Sequence, residues 1–500
     1  MPPLPVIDPF WVVLATVLLV CALQLSWLER LFVPRKASRQ TRSVISHQER
    51  GVKIFHANDG DLLAMSLRES MFTAGAIVNG GYHLLIGFTL HHPSTPALPL
   101  QSLEQALRDL QLRHPFLRAQ VVLQDDSPPT YAFQMNHALV IPIIAASRAE
   151  TSMDSLRFKH RSDRLRMGEP LFRVLWVADD NGKTEVLLLA HHVVCDGRSM
   201  SALAHELLLR ISSMASIAPE IPQLLAPSCD AVALRNIRQH PWRSLQSFVH
   251  GVATAIRGRG ALVFPINHTK IDQFLELKDN APIGLTAHVP CEITSRFVAA
   301  CKAHGVTVTA GLGAILAQAC ADLDDAQSTK VSLGTIVDAR NLGEESVATD
   351  HVCCFAAPLP IFSRVVDKSK PVDSMWAFAQ SYGVHLAECT QRRDGIVLGL
   401  LMGYRMKKMM SKPQLTLGRP TVLLSNAGVL PHLRTTYGDI TVSSANVTSN
   451  QFYSFPKVSV STQGNIMTFN FDGVAPILDK HQLELLQERT LYHLNNLVHA

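Results

Sequence analysis

Charge is scarce in this sequence and poorly segregated. Only 17% of its 500 residues are Asp, Glu, Lys or Arg, and 46 basic against 41 acidic side chains leave a net charge of +5 with no basic block. That excludes a nucleic-acid binder built on a continuous cationic stripe. Low-complexity tracts are absent too, and with 47% hydrophobic residues most of the chain can bury enough apolar surface to fold. The nine cysteines, an odd number, include no Cys-x-x-Cys pair and no histidine at zinc-site spacing. Neither a disulfide framework nor a metal site is expected, and a reducing, cytosol-facing compartment fits. A Gly-x-Gly-x-x-Gly after a first strand is also missing: Gly311-Leu312-Gly313 sits at the start of a predicted helix without a third glycine, which sets a dinucleotide site aside.

What is present begins with a membrane question. Pro9 to Leu28 is a twenty-residue run without charge, with Trp11 and Trp27 near its ends. At about 1.5 Å per residue it spans a hydrocarbon core of about 30 Å. Only Asp8 precedes it, whereas Arg30, Arg35, Lys36, Arg39 and Arg42 follow. The positive-inside bias therefore predicts a single-pass anchor with the body in the cytosol, at the endoplasmic reticulum in a eukaryote. A cleaved signal peptide is the competing reading, weakened by an n-region without positive charge and by the lack of a small-x-small site. The sequons at Asn267 and Asn446 would be glycosylated only if the body were lumenal.

The body alternates helical and strand patterns. Leu103, Ala106, Leu107 and Leu110 recur at helical spacing opposite Glu104, Arg108, Asp109 and Arg113, the signature of an amphipathic helix on a core. Tyr82–Leu90, Leu117–Leu123, Leu171–Val177 and Thr184–Ala190 have strand composition. Asp179-Asp180-Asn181-Gly182 between the last two reads as a hairpin turn before an acidic metal motif. Prolines at 219, 222, 227, 241 and 265 break the pattern around one helix, Trp242–Ile256. With Arg243, Arg257 and Arg259 beside Trp242, Leu245, Phe248 and Val249, that helix either lies on a membrane surface or covers an apolar groove. A second alternating half follows. It comprises helices at Glu292–His304 and Thr309–Ala321, strands at Lys330–Val337, Thr421–Leu424, Ser454–Ser461 and Ile466–Phe471, and a last helix at Lys480–Val498. The expected organisation is an anchor and tether over residues 1–50, a first lobe over 51–215, a crossover over 216–282 and a second lobe over 283–500, together a mixed α/β (α+β) fold of two lobes.

The residues that carry chemistry stand at the end of an apolar strand: His191-His192-Val193-Val194-Cys195-Asp196-Gly197, with a helix expected from about Arg198. Adjacent strand residues point to opposite faces, so the two imidazoles are poor joint metal ligands and are better read as one structural and one functional group. A neutral imidazole accepts a proton from a hydroxyl or amine near pH 7. Asp196 either pairs with an arginine to hold the turn or orients the histidine directly.

The heptapeptide resembles the His-His-x-x-x-Asp-Gly signature of the chloramphenicol-acetyltransferase-like superfamily. That superfamily includes condensation domains, alcohol O-acyltransferases, polyketide-associated acyltransferases and wax ester synthases. Supporting stretches run from Leu103 through His114-Pro115-Phe116-Leu117-Arg118, then Gly168 to Arg173, Gly305 to Thr309, Val337-Asp338-Ala339-Arg340-Asn341 and Ser425-Asn426-Ala427-Gly428, so the likeness covers roughly residues 58–498. It implies two lobes with a tunnel between them, and direct attack by an acceptor on an acyl thioester with His192 as general base. It further implies a structural Asp196 paired with an arginine, for which Arg340 is the candidate, a backbone donor near Gly197, and Asn426 and Ser425 in the tunnel. No cofactor is held. Acyl-CoA or a carrier-protein thioester is the co-substrate, an alcohol or an amine the acceptor, and a non-catalytic membrane-tethered scaffold the remaining alternative. Arg340 as a surface cation and Ser425–Gly428 as an ordinary turn stay open. Cys195 reads as a packed residue before a reactive thiol, His91-His92-Pro93 as loop, and Arg405, Lys407 and Lys408 as solvated surface before a site for coenzyme A phosphates.

Overall fold

The computed structural model describes residues 44–45, 58–92, 99–126, 129–160, 163–178, 182–212, 222–264, 281–343, 347–401, 420–430, 432–450 and 453–499. The apolar run 9–28, the tether apart from Val44–Ile45, Asp179–Asn181, Asn267 and the cluster at Arg405 to Lys408 lie outside the described residues. Among the described residues no single helix is long and apolar enough to cross a membrane.

Two large sheets organise the body. The first has six strands in the spatial order Thr436–Tyr437, Ile440–Asn450, His83–His91, Lys183–His191, Phe172–Ala178, Ile143–Ser147. Its central strand Lys183–His191 is buried on both faces from Val186 onward. Val186, Leu188 and Ala190 share a core with Leu103 and Leu107 of helix Leu100–Arg113 and with Leu203 and Leu207 of helix Gly197–Ser212. Leu187 and Leu189 pack on the other side with Leu156 and Leu175, as a two-residue side-chain period requires. A smaller antiparallel sheet pairs Leu62–Ala64 with Pro129–Met135 and the latter with Ala119–Asp126. The predicted strand at Leu117 begins instead with a 3-10 turn, Pro115–Arg118, because Pro115 pre-sets the first helical position.

The second sheet runs Ala356–Pro358, Ser328–Asp338, Val422–Val429, Lys457–Gln463, Ile466–Ala475, Ala281–Val289, with Phe362–Asp367 also on Ser328–Asp338. Ser328–Asp338, Val422–Val429 and Lys457–Gln463 are mutually parallel neighbours, and the other pairings are antiparallel. Against this sheet lies helix Val308–Ala321, with twelve buried residues from Ala310 to Ala321. A helix apolar on all sides belongs inside a core. Its Gly311 and Gly313 serve packing. A Cβ at Gly313 would stand 2.3 Å from Tyr382 Cε1, and one at Gly311 would stand 2.7 Å from Cys301 Sγ. Gly313→Ala should therefore lower stability by about 1–3 kcal/mol, the usual cost of overpacking, read as a lower urea midpoint at unchanged m-value.

Two expectations about organisation are corrected. Strands Thr436–Tyr437 and Ile440–Asn450, assigned with residues 283–500 to the second lobe, cross back into the first sheet. There Ile440–Asn450 pairs antiparallel with His83–His91. That pairing joins residues some 350 apart in sequence and covers an edge that would otherwise be open; no local pattern encodes it. The crossover holds two helices, Cys229–Gln239 and Pro241–Arg257, where one was expected. The first is capped by Ser228 Oγ accepting from the Ala231 N–H.

Candidate active site

The motif turn is built from the end of strand Lys183–His191 and the start of helix Gly197–Ser212. His191, the last strand residue, points into the first lobe, its ring 4.3 Å from that of His83. Burial, then the neighbouring His83 and Arg173, hold it well below the ordinary imidazole range. It is the structural member of the pair. His192 turns the other way. Its N–H donates to the Tyr82 carbonyl at 2.7 Å, which is aimed there by the left-handed backbone of Tyr82 (φ 64°), a conformation uncommon for an aromatic residue and found where local geometry is over-determined. The imidazole stacks on Phe72 with ring centroids 5.3 Å apart.

One contact fixes the chemistry of that ring. His192 Nδ1 lies 2.7 Å from the Cys195 carbonyl oxygen, and a carbonyl only accepts, so Nδ1 carries the proton and Nε2 the lone pair. Burial lowers the His192 pKa from 6.5, opposed by Asp196 and by the Cys195 carbonyl and reinforced by Lys457. The ring is neutral at pH 7.

Asp196 does not touch the imidazole. Its Oδ1 accepts from the Ser199 N–H at 2.9 Å, and its Oδ2 accepts from Arg340 Nη1 at 2.6 Å and the Phe355 N–H at 2.8 Å. Of its two candidate roles, holding the turn is the one the geometry fulfils. Burial opposes ionisation, but the Arg340 guanidinium and these N–H donors outweigh it and depress the carboxyl pKa. Arg340 is 1% exposed, which settles the surface-cation alternative. It also donates to Asp338 at 3.1 Å, Ser199 Oγ at 2.9 Å and the Cys353 carbonyl at 3.1 Å. Asp196 and Arg340 thus clamp the motif turn of the first lobe to the end of strand Ser328–Asp338 in the second.

His192 and Gly197 border a cavity of about 70 Å³ between the two sheets, also lined by Ser425 and Ala427, by Val447 to Ser449 and by Lys457. That volume holds a few water-sized groups. Gly197 is the first residue of its helix, where backbone N–H groups have no intrahelical acceptor; its amide is an available donor for negative charge at a helix N-terminus. Asn426 does not border this cavity. Ser425 and Ala427 point one way along strand Val422–Val429 and Asn426 the other, where its Nδ2 donates to Thr309 Oγ1 at 2.9 Å and its Oδ1 accepts from the Gly428 N–H at 2.9 Å. The Ser425–Gly428 string is thus a strand with a bulge between Asn426 and Gly428; it is not a turn.

Sequence reading missed three neighbours of His192. Phe72 comes from helix Leu67–Asn79, and Cys354 Sγ lies 3.5 Å from His192 Nδ1, its thiol pushed well up by burial. Lys457 is 4% exposed, donates to the Ser449 carbonyl at 2.6 Å and stands 3.8 Å from Asp472. A lysine opening an apolar strand just after Pro456 was the one available signal. Because its ammonium helps depress the His192 pKa, Lys457→Met should move the acid limb of any His192-dependent rate to higher pH. It should also destabilise the fold by about 3 kcal/mol through the unpaired Asp472; a pH–rate profile and a melting curve check both. Cys195 is fully buried, with its Sγ toward the His191 carbonyl at 3.5 Å. Among the described residues one group of possible metal ligands converges, His250, Cys389 and Asp394. None of them borders the cavity, and Arg392 supplies the cation for Asp394 at 3.2 Å.

The condensation-domain family model matches residues 84–214, and the model of the phthiocerol/phthiodiolone dimycocerosyl transferase C-terminus matches residues 289–444. The first range contains His191 to Gly197, and the second contains Arg340, Ser425 and Asn426. No curated protein matches the sequence. Among solved structures, a trichothecene 15-O-acetyltransferase from Fusarium sporotrichioides superposes with a TM-score of 0.68 at 13% identity, over 87% of this chain and 95% of its own. Polyketide synthase associated protein 5 from Mycobacterium tuberculosis gives 0.61 at 15% identity, over 87% and 98%. The EpoB cyclization-docking bidomain from Sorangium cellulosum gives 0.62 at 17% identity, over 99% and 94%. These solved structures share the fold, and the two family matches, one to a condensation domain and one to an acyltransferase C-terminus, fall on the two halves of one site.

Proposed function

We propose that the chain transfers an acyl group from a thioester, acyl-CoA in the first instance, to the hydroxyl of a lipophilic alcohol, with His192 as the general base. The observation that carries this reading is the tautomer: Nδ1–H is committed to the Cys195 carbonyl, leaving Nε2 as the ring's acceptor beside the cavity. In the proposed step Nε2 takes the hydroxyl proton as the oxygen attacks the thioester carbonyl. The tetrahedral oxyanion forms near the Gly197 amide, where one well-placed donor contributes about 3 kcal/mol. Collapse breaks the carbon–sulfur bond, and the departing thiolate takes the proton from the imidazolium. The ester bond forms without an acyl-enzyme, and coenzyme A leaves as a co-product.

Leu84, Ile336, Val447 and Val460 give the cavity apolar walls, which supports a lipophilic acceptor. Such an acceptor would be met at a bilayer if residues 9–28 anchor the chain with its body in the cytosol, as we further propose. The condensation-domain match over the motif half favours a second reading, a carrier-bound donor with an amine acceptor. Incubating the full chain with acyl-CoA thioesters or an acylated phosphopantetheinyl carrier, each with alcohols and amines, separates the two by product mass. Ester from acyl-CoA supports the first reading, amide from carrier only supports the second, and no product from any pair favours the scaffold alternative.

A further inference from the structure

Helix Pro241–Arg257 wears its polar side inward. Ser244, Ser247 and Thr254 are buried, Ser247 Oγ donates to the Arg392 carbonyl at 3.3 Å, and a Cβ on Gly251 would come within 2.6 Å of Leu398 Cδ2. These residues recur at intervals of three and four and form one stripe. The opposite stripe, at the same spacing, is Trp242, Leu245, Val249, Val252 and Ile256. Trp242 is 75% exposed, Val249 38%, Val252 44% and Ile256 51%. A helix resting on a globular body ordinarily does the reverse and buries its apolar stripe. Along the sequence the charge has one sign: residues 231–264 contain neither Asp nor Glu, and Arg238, Arg243, Arg257 and Arg259 lie on this helix or next to it in sequence.

We propose that this helix is a membrane-docking surface. It lies in the plane of an anionic bilayer, with the Trp242-to-Ile256 stripe at the acyl boundary and the flanking arginines on lipid phosphates. Charge complementarity selects that occupant. Two copies of this face would bring arginines against arginines, and the chain's own segment after residue 28, with Arg30, Arg35, Lys36, Arg39 and Arg42, is basic as well. The inference depends neither on the proposed acyl transfer nor on the run 9–28.

The test uses the full chain and vesicles of phosphatidylcholine with phosphatidylserine whose acyl chains carry bromine, a quencher of tryptophan emission. Five tryptophans are present, so Trp242→Phe isolates the contribution of Trp242. The expected result is stronger quenching in the parent than in Trp242→Phe. Val252→Asp with Ile256→Asp should abolish that difference at unchanged circular dichroism. With phosphatidylcholine alone, the partition constant read from the Trp242 quenching titration should fall about fivefold for each arginine engaged. Equal quenching of parent and Trp242→Phe would overturn the proposal. So would a vesicle-free dimer, seen by sedimentation, that the double aspartate variant converts to monomer.

Discussion

Replacing His192 with alanine should reduce acyl-transfer turnover by about 10²- to 10⁴-fold, the range supplied by a positioned general base, with a much smaller change in thermal midpoint. The expectation rests on three features that act together. The Cys195 carbonyl fixes the tautomer, Phe72 fixes the plane of the ring, and burial keeps it uncharged at neutral pH. A base must be neutral to accept a proton, so the rate should be flat across pH 6.5 to 8 and fall only as pH drops through the depressed folded pKa, below the ordinary 6.5. Were His192 merely a packing residue, the alanine variant would lose stability and keep its rate per folded molecule.

Arg340→Ala should be the most destabilising single change at the site, costing about 3–5 kcal/mol by leaving the buried Asp196 carboxylate without its cation. Asp196 is 4% exposed, and Arg340 also ties down Ser199 and the Cys353 carbonyl. The loss therefore loosens the contact between the lobes as well as the turn. A double variant, Asp196→Asn with Arg340→Met, should be less destabilised than the sum of its parts, since the two side chains are directly coupled; urea denaturation of the four proteins measures the coupling. Stability should also fall with acid. The His83 pKa is lowered to about 4 by burial, and burial also holds His191 well below the ordinary imidazole range. Below about pH 6.5 the unfolded chain binds protons that the folded one refuses, so their stabilisation is present above 6.5 and is lost as pH falls toward 4, by about 1.4 kcal/mol per group per unit. Asp196, whose pKa is depressed, adds a loss in the same direction as pH falls through and below the ordinary carboxylate range.

The sequence made the motif turn legible because its parts are contiguous: a buried strand, two histidines, an aspartate that caps a helix and a glycine that opens it. The amphipathic helix Leu100–Arg113 and the paired strands Phe172–Ala178 and Lys183–His191 were legible for the same reason, as periodicity is local. Arg340 came through the resemblance, and the structure shows what it does. What sequence reading missed is set by long-range pairing. Strand Ile440–Asn450 joins the first sheet through His83–His91, and with it come Val447 to Ser449 on one wall of the cavity. Ser425 borders the cavity and Asn426 does not, because strand alternation turns neighbours to opposite faces, and only the register with Lys457–Gln463 says which neighbour faces the cavity. Helix Pro241–Arg257 was placed correctly, but its periodicity gave the stripes without saying which one the body would cover.

The central claim is direct acyl transfer with His192 as base, and its most direct test is a single-turnover measurement on the full chain and on His192→Ala. Each is mixed with acyl-CoA and a lipophilic alcohol, and thiol release, ester formation and the intact mass of the protein are followed together. The account predicts one thiol released per ester formed, no acylated protein at any time, and loss of both products in the variant. Equal rates in the two proteins, or an acylated protein appearing ahead of the ester, would contradict it.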